Sequence, residues 1–459
     1  QGWRDRTLDA YAIYEQGSYV LGGGTPSEKN SSDALADETQ IALAAIWETV
    51  LNRAGLGRED HFFAIGGNSL AAVQAAARIA DHWAIDFPVR NLFENSRLQT
   101  CAAEVKRLVE TGVPRRQADI RILPAGQGMH PLPLSFGQQR LWFLWQLDPS
   151  STAYHVKHAL RLSGTLDTQA LRASFDGLVG RHESLRTIFL AGSEGSAEPV
   201  IRPACPIDIA SVDLRGIAMP EREAWAAEEA RRIHSVPFDL TQGPLLRVAL
   251  LRIAEDENIL IMAMPHIISD GASVQILIDE LAARYLAHVQ GKTAHFDALP
   301  IQYSDYAAWQ RRWLEEGEKD RQLAYWRGYL GDTHPILSLP ADHPRKPIAS
   351  YPAARHAFDL PTDPVGALRR TAQERDATLF MALLAGFQAL LYRHTGQGDI
   401  RVGVPIANRN RVETAGLIGF FVNTQVLRGE IHGRMALTDV LGQVREGAID
   451  GQTYQDLPF

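Results

Sequence analysis

Apolar positions recur at helical intervals in the first part of the chain and mix two periods in the rest. Between Ala34 and about Glu110, Leu43, Ile46, Trp47, Val50 and Leu51 form one stripe spaced as on a helix face. The alanine-rich run from Ser69 to His82 predicts a second helix. Pro88 suits the first turn of a short helix ending near Phe93. Ser96 and Gln99 stand at capping-box spacing, and Leu98, Cys101, Val105 and Leu108 follow at helical intervals. These helices predict a small all-α bundle over 34–110.

From about residue 131 the pattern is mixed. Val156, His158, Leu160 and Leu162 alternate like a half-buried strand, and Leu171, Phe175, Leu178 and Val179 then return to helical spacing. The apolar runs Leu245–Ile253 and Ile259–Met264 flank the polar Glu255-Asp256-Glu257-Asn258 and predict a hairpin. An amphipathic helix follows, with Val274, Leu277, Ile278, Leu281 and Tyr285 on one face. A second α/β block resumes after about Pro335 and includes a helix from Leu379 to Tyr392. Gly22-Gly23-Gly24-Thr25-Pro26-Ser27 and the stretch from Thr111 to Gly128 have linker composition. The expected organisation is a terminal segment and linker over 1–33, a bundle over 34–110, a linker over 111–130 and a large α/β domain over 131–459. That domain is divided into lobes of about 131–300 and 301–459.

Composition narrows the class. A 45% apolar, 22% charged chain of 459 residues has material for a sizeable core, and its formal charge of −8 argues against binding a phosphate backbone. There is no apolar run of about eighteen or more residues, so no transmembrane helix is expected. Two cysteines, Cys101 and Cys205, make neither a disulfide framework nor a metal cluster, and this predicts a reducing cytoplasm and no structural zinc. The chain opens on Gln1 without a signal pattern, so it is expected to begin within a longer protein. A monomer is the default.

Two segments carry chemistry. In Gly66-Gly67-Asn68-Ser69-Leu70 the glycines allow a tight turn, and a serine stands where a helix begins. Free N–H groups and the positive dipole end at such a start suit a phosphate held there. Read alone, Ser69 is more simply an N-cap. In Met264-Pro265-His266-Ile267-Ile268-Ser269-Asp270-Gly271 a histidine follows a strand and a glycine closes the loop. A neutral imidazole there can accept or orient an amine proton. Its bland alternative is a core histidine satisfied by a carbonyl.

Context beyond these residues points to a family. Residues 34–110, with an aromatic pair before the glycines and helices on either side, resemble a peptidyl carrier protein. The matching serine, Ser69, would carry 4′-phosphopantetheine as a tether. The second segment resembles the His-His-x-x-x-Asp-Gly motif of condensation domains from nonribosomal peptide synthetases, with His266, Asp270 and Gly271 on its second His, Asp and Gly. Five further motifs resemble that family in order: Leu134-Ser135-Phe136-Gly137-Gln138-Gln139-Arg140-Leu141-Trp142, Arg181-His182-Glu183-Ser184-Leu185-Arg186-Thr187, Tyr303-Ser304-Asp305-Tyr306-Ala307-Ala308-Trp309, Ile418-Gly419-Phe420-Phe421-Val422-Asn423-Thr424 and Tyr454-Gln455-Asp456-Leu457-Pro458-Phe459. Two departures stand out. Pro265 replaces the first motif histidine, fixing φ and removing an N–H, so an altered approach to His266 is expected. The chain also stops at the sixth motif, so the second lobe is expected to be truncated.

The resemblance implies a four-helix carrier followed by a bilobed α/β domain similar to chloramphenicol acetyltransferase, with a tunnel between its lobes. It implies a peptide-bond-forming acyltransferase in antibiotic or siderophore biosynthesis. The carrier would hold the donor thioester, and a downstream carrier protein would bring the acceptor. An upstream adenylation domain and a phosphopantetheinyl transferase are implied partners. His266 would remove the amine proton, or hold the amine and the tetrahedral intermediate. Asp270 would organise its loop through an ion pair, with Arg181 and Arg186 as candidate cations, and Gly271 would permit the turn. The alternatives are an epimerization domain or a degenerate domain that recruits a partner enzyme. Gly-Gly-Asn-Ser, rather than Gly-Gly-Asp-Ser, together with the Arg181–Thr187 and Phe421–Thr424 segments, fits condensation better and suggests joining an L-donor to an L-acceptor. A cyclization domain would need a second motif aspartate in place of the histidine.

Overall fold

The computed structural model describes residues 35–112, 120, 132–192, 195–343 and 356–458. The segments read as linkers, 1–33 and most of 111–130, lie outside the described residues. The chain divides into two compact units. One comprises the described residues within 119–315 and 413–422; the other comprises those within 23–118, 316–412 and 423–459.

The second unit contains the helical bundle. Helices α1 (Glu38–Leu51), α2 (Ser69–Trp83), α3 (Val89–Glu94) and α4 (Leu98–Thr111) pack around Leu43, Trp47, Phe62, Ile79, Leu92, Phe93, Leu98 and Val105, all buried. Phe62 lies edge-on to Trp47 at 4.9 Å between ring centroids, and Phe63 stacks on Phe93 at 4.6 Å, so the aromatic pair before the glycines is a core element. Two local expectations change. Pro88 is the residue before α3 rather than within its first turn. The Ser96–Gln99 capping box does not form: α4 starts behind Arg97, without a side-chain cap. Ser96 is drawn elsewhere because its segment bridges to the His61 backbone. Its carbonyl accepts from Phe62 N at 2.7 Å, and its hydroxyl meets His61 Nε2 at 2.9 Å.

The first unit is α/β. Helix α5 (Phe136–Leu147) opens on a formed capping box between Ser135 and Gln138. Strand β1 (His155–Ser163) is followed by α6 (Thr168–Arg181), the two-stranded ribbon β2 (Thr187–Ala191) and β3 (Ala197–Ile201), then β4 (Ile209–Asp213) and α7 (Met219–His234). The predicted hairpin is present as β5 (Arg247–Arg252) and β6 (Glu257–Pro265), paired antiparallel. The main sheet runs β1-β6-β5-β4. The last pair is parallel, a crossover that alternation along each strand does not reveal. One face packs on α6 and on α8 (Gly271–Val289) through Val156, Leu160, Val248, Leu260 and Met262. The other face receives α7 on Ala249, Leu251, Ile259 and Ile261. This two-sided burial explains why β5 and β6 read as continuous apolar runs. Helix α9 (Tyr303–Trp313) also belongs to this unit.

The rest of the second unit holds α10 (Lys319–Leu330), α11 (Thr362–Gln373), α12 (Leu379–Thr395), the antiparallel pair β7 (Asp399–Ile406) and β8 (Asn423–Glu430), and α13 (Leu437–Thr453). The bundle and this block share ion pairs. Arg90 on α3 reaches Glu446 at 3.1 Å and Asp450 at 2.8 Å on α13, and His61 lies 3.7 Å from Asp376. Among the described residues no helix is long and apolar enough to cross a membrane, and no cluster of three or more His, Cys, Asp or Glu is placed to hold a metal.

Candidate functional site

Ser69 sits behind a turn that the sequence shapes closely. Gly66 has φ +115°, a conformation that strains residues with a Cβ. At Gly67 a Cβ would stand 2.5 Å from the Phe62 carbonyl oxygen, so backbone and core ring touch there. The cap of α2 is Asn68, whose Oδ1 accepts from Ala71 N at 2.9 Å. Ser69 is therefore the first helical residue and not the cap. Its Oγ is shielded and has no hydrogen-bond partner among the described residues. An orphaned hydroxyl at a helix start, beside free N–H groups, fits the attachment of a phosphodiester.

His266 lies immediately after β6. The register sets Pro265 opposite His155, and the next ladder bond runs from His266 N to Tyr154 O at 2.8 Å. Pro265 thus occupies a non-hydrogen-bonded pair position, where its missing N–H removes no ladder bond. The ladder therefore continues to His266. Its ring nitrogen Nδ1 lies 3.1 Å from Ser269 O. A carbonyl only accepts, so Nδ1 carries the proton and Nε2 of the neutral ring carries the lone pair. Burial lowers the pKa of His266 below 6.5, against opposing effects of the Ser269 carbonyl and Asp270.

Asp270 is completely buried and caps α8. Its Oδ1 accepts from Ser273 N at 2.8 Å and faces Ser273 Oγ at 2.7 Å, while Oδ2 accepts from Phe421 N at 3.0 Å. Ser273 Oγ also accepts from Gly419 N at 3.0 Å. The carboxylate therefore ties the histidine loop to the segment 418–422. The two candidate cations go elsewhere: Arg181 pairs with Glu280 at 3.1 Å, and Arg186 pairs with Glu183 at 3.7 Å and donates to Arg202 O at 2.7 Å. Arg181 ends α6, which packs beside α8 and its Glu280, so that glutamate is within reach. Arg186 closes a short helical turn and lies beside Glu183, three residues back. Gly271 is the first residue of α8, a helical conformation open to any residue, so the turn does not require glycine there.

The structure also places residues whose roles the sequence does not announce. Ser273, Tyr303 and Phe420 surround the loop, although Tyr303 and Phe420 lie within motifs that the sequence does display. A motif marks such positions, but their contacts span more than a hundred residues of chain.

Together these features define a class: a helical domain built to carry a group on a serine, joined to an α/β domain with an oriented neutral histidine. Comparison with known proteins gives the family. The phosphopantetheine attachment site family matches residues 42–105, and the condensation domain family matches residues 129–459. The chain belongs to the condensation-domain family, the amide-bond-forming acyltransferases of nonribosomal peptide synthetases, with a phosphopantetheine-bearing carrier upstream. It is 39% identical over 420 residues to malpibaldin synthetase of Mortierella alpina, covering 92% of this chain and 8% of that protein. The chain thus spans a small fraction of the curated relatives it matches. Among solved structures, the X-domain in complex with OxyB from teicoplanin biosynthesis superposes with a TM-score of 0.66 at 26% identity, covering 75% of this chain and 74% of that one. The first condensation domain of the calcium-dependent antibiotic synthetase, in complex with a substrate analogue, gives 0.61 at 25% identity, covering 71% and 76%.

Proposed function

We propose that this segment forms a peptide bond between a donor acyl group held on Ser69 and the amine of an acceptor, joining an L-donor to an L-acceptor. The observation that carries the reading is the Nδ1 contact to Ser269 O, which leaves Nε2 of His266 as the unprotonated nitrogen. 4′-Phosphopantetheine on Ser69 Oγ supplies the thiol that holds the donor as a thioester. His266 accepts a hydrogen bond from the acceptor amine through Nε2 and takes its proton as the amine adds to the donor carbonyl; the thioester C–S bond then breaks, and the proton passes to the departing thiolate. The lowered pKa keeps the ring neutral at pH 7, so the base is ready before the amine arrives. Asp270 holds the loop and transfers no proton. Positioning of two tethered reactants supplies much of the rate, because a thioester is already activated.

In the longer chain, an upstream adenylation domain selects the donor and a downstream carrier brings the acceptor. A phosphopantetheinyl transferase acts first, on Ser69. We place the boundary between carrier and condensation domain within 111–130 and the site at Ser69, His266 and Asp270.

The test is single-turnover amide formation in the full synthetase chain, read by intact mass. Ser69→Ala is expected to abolish loading from coenzyme A, and His266→Ala to slow product formation by roughly 10²-fold or more with folding intact. Loading that persists without Ser69 would remove the carrier assignment. Two observations favour a second reading: the X-domain relative was solved bound to OxyB, and here Pro265 departs from the motif. A domain that only recruits an enzyme would load normally, yield no amide with any acceptor tried, and be indifferent to His266→Ala.

A further inference from the structure

The segment Gly419-Phe420-Phe421 is clamped from several sides within its unit. Tyr303 Oη donates to Phe420 O, and Ser135 Oγ lies 2.9 Å from Tyr303 Oη. Ser273 Oγ accepts from Gly419 N, and Asp270 Oδ2 accepts from Phe421 N. A Cβ on Gly419 would fall within the van der Waals surface of the Tyr303 ring, so the backbone there can approach the tyrosine only as glycine. Clamps before and after Phe420 fix where its ring points. On one side that ring meets His266, edge to face, with 5.6 Å between centroids and 63° between planes. On another it presses on Gly137 in the first turn of α5, where a Cβ would stand 2.9 Å from both Cδ1 and Cε1 of Phe420.

We propose that Phe420 is the positioning residue for the His266 imidazole, and that Gly137 is the space that admits its ring. The inference rests on the assignment of His266 above and extends it to two residues from stretches of chain far apart. The Ser269 carbonyl holds Nδ1. The Phe420 edge adds a packed surface that fixes the direction of Nε2, and the hydrogen bonds from Tyr303 and to Asp270 hold that edge in place. A side chain on Gly137 displaces the ring that lies against His266, because the clamped backbone of 419–421 cannot retreat. Phe420 is one of the groups against the imidazole, whose burial lowers its pKa. Asp270 is the charged group that acts on the ring in the opposite sense.

The experiment compares wild type, His266→Ala, Gly137→Ala, Phe420→Leu and the Gly137→Ala/Phe420→Leu double in the full synthetase chain. It measures amide formation against acceptor concentration and pH, with thermal unfolding in parallel. Gly137→Ala is expected to lower kcat by roughly tenfold or more, since misplacements of about 1 Å can cost ~10²-fold, while the acceptor KM holds. In the Phe420→Leu background the same substitution is expected to have a much smaller effect, because leucine lacks the Cε1 that it strikes and its Cδ atoms can turn away. Phe420→Leu alone is expected to move the acid limb of the pH–rate profile up towards the ordinary histidine value. A folded Gly137→Ala protein with wild-type kcat would overturn the inference, as would an unmoved acid limb in Phe420→Leu. The second readout decides the matter if Gly137→Ala does not fold. Equal rates for wild type and His266→Ala would instead remove the base assignment, and this inference with it.

Discussion

Both candidate sites of this chain stand at the start of a helix, and they are built in opposite ways. At α2 the cap is Asn68, a neutral, half-buried amide bonded to Ala71 N, and the next residue, Ser69, has a hydroxyl with no partner among the described residues. At α8 the cap is Asp270, a fully buried carboxylate bonded to both the Ser273 backbone and the Phe421 backbone, and the histidine four residues earlier is fixed through Nδ1 and its own N–H. One site presents an oxygen that something else must occupy. The other holds a nitrogen in place. An attachment point needs a hydroxyl that is not committed to another partner, whereas a base needs its lone pair aimed before substrate binds. The same capping chemistry thus serves two ends, and its charge and burial follow the end served.

That contrast can be broken by substitution, and the largest effect should fall on the α8 side. Asp270→Ala leaves the Phe421 and Ser273 N–H groups buried without an acceptor, so unfolding by denaturant should show a loss of about 3 kcal/mol. Loss of activity together with that instability is expected; full stability would show that the 418–422 segment does not depend on the carboxylate.

A pH titration sharpens the comparison within the α/β unit. His155 and His234 are pushed down to about 4 from 6.5, chiefly by burial and then by the nearby Lys157 ammonium. Both prefer the neutral form when folded, so unfolded chains bind the extra protons between those two values. Their contribution is complete above pH 6.5 and is lost as pH falls towards 4. Thermal midpoints should therefore drop across that window, and His155→Gln/His234→Gln should flatten the drop. The His266 shift has the same sign: amide formation should hold at pH 7 and fall only below 6.5.

Smaller effects are expected on the α2 side. Asn68→Ala should cost about 1 kcal/mol in the carrier, the ordinary loss of a surface N-cap, while Ser69→Ala should leave stability within about 0.5 kcal/mol of wild type. A Ser69→Ala change as destabilising as Asn68→Ala would mean that the hydroxyl is structural after all. A similarly small effect is expected at Arg90, whose half-exposed pairs with Glu446 and Asp450 contribute no more than about 1 kcal/mol and weaken with salt. Arg90→Glu should loosen the hold of α3 on α13, visible as faster amide exchange in α13, and Glu446→Arg should restore part of it.

Much of this was legible beforehand, because short-range physics writes itself into spacing. Apolar periodicity located the bundle helices, β1, the β5–β6 hairpin and α8 close to where they lie. The resemblance to a carrier and to a condensation domain, rather than either short segment alone, made Ser69 and His266 the candidates. Local competition was harder to read. Ser96 has the right spacing for a cap, yet its hydroxyl goes to His61, and Arg97 precedes the helix instead. Arg181 and Arg186 have the right charge for Asp270, yet each has a carboxylate nearer in space.

The sequence by itself determined the order of carrier and condensation segments and most of the helical and extended segments, because those follow from side-chain period and from motifs that recur in order along the chain, and it named Ser69 and His266 as the candidates for chemistry. Only the tertiary structure decided what holds them. The parallel β4–β5 pair, the tie from Asp270 to Phe421, and the contact of Gly137 with Phe420 beside His266 all join residues far apart in the chain. Their partners are selected by packing and by the need to satisfy buried polar groups, and neither leaves a periodic trace along the backbone.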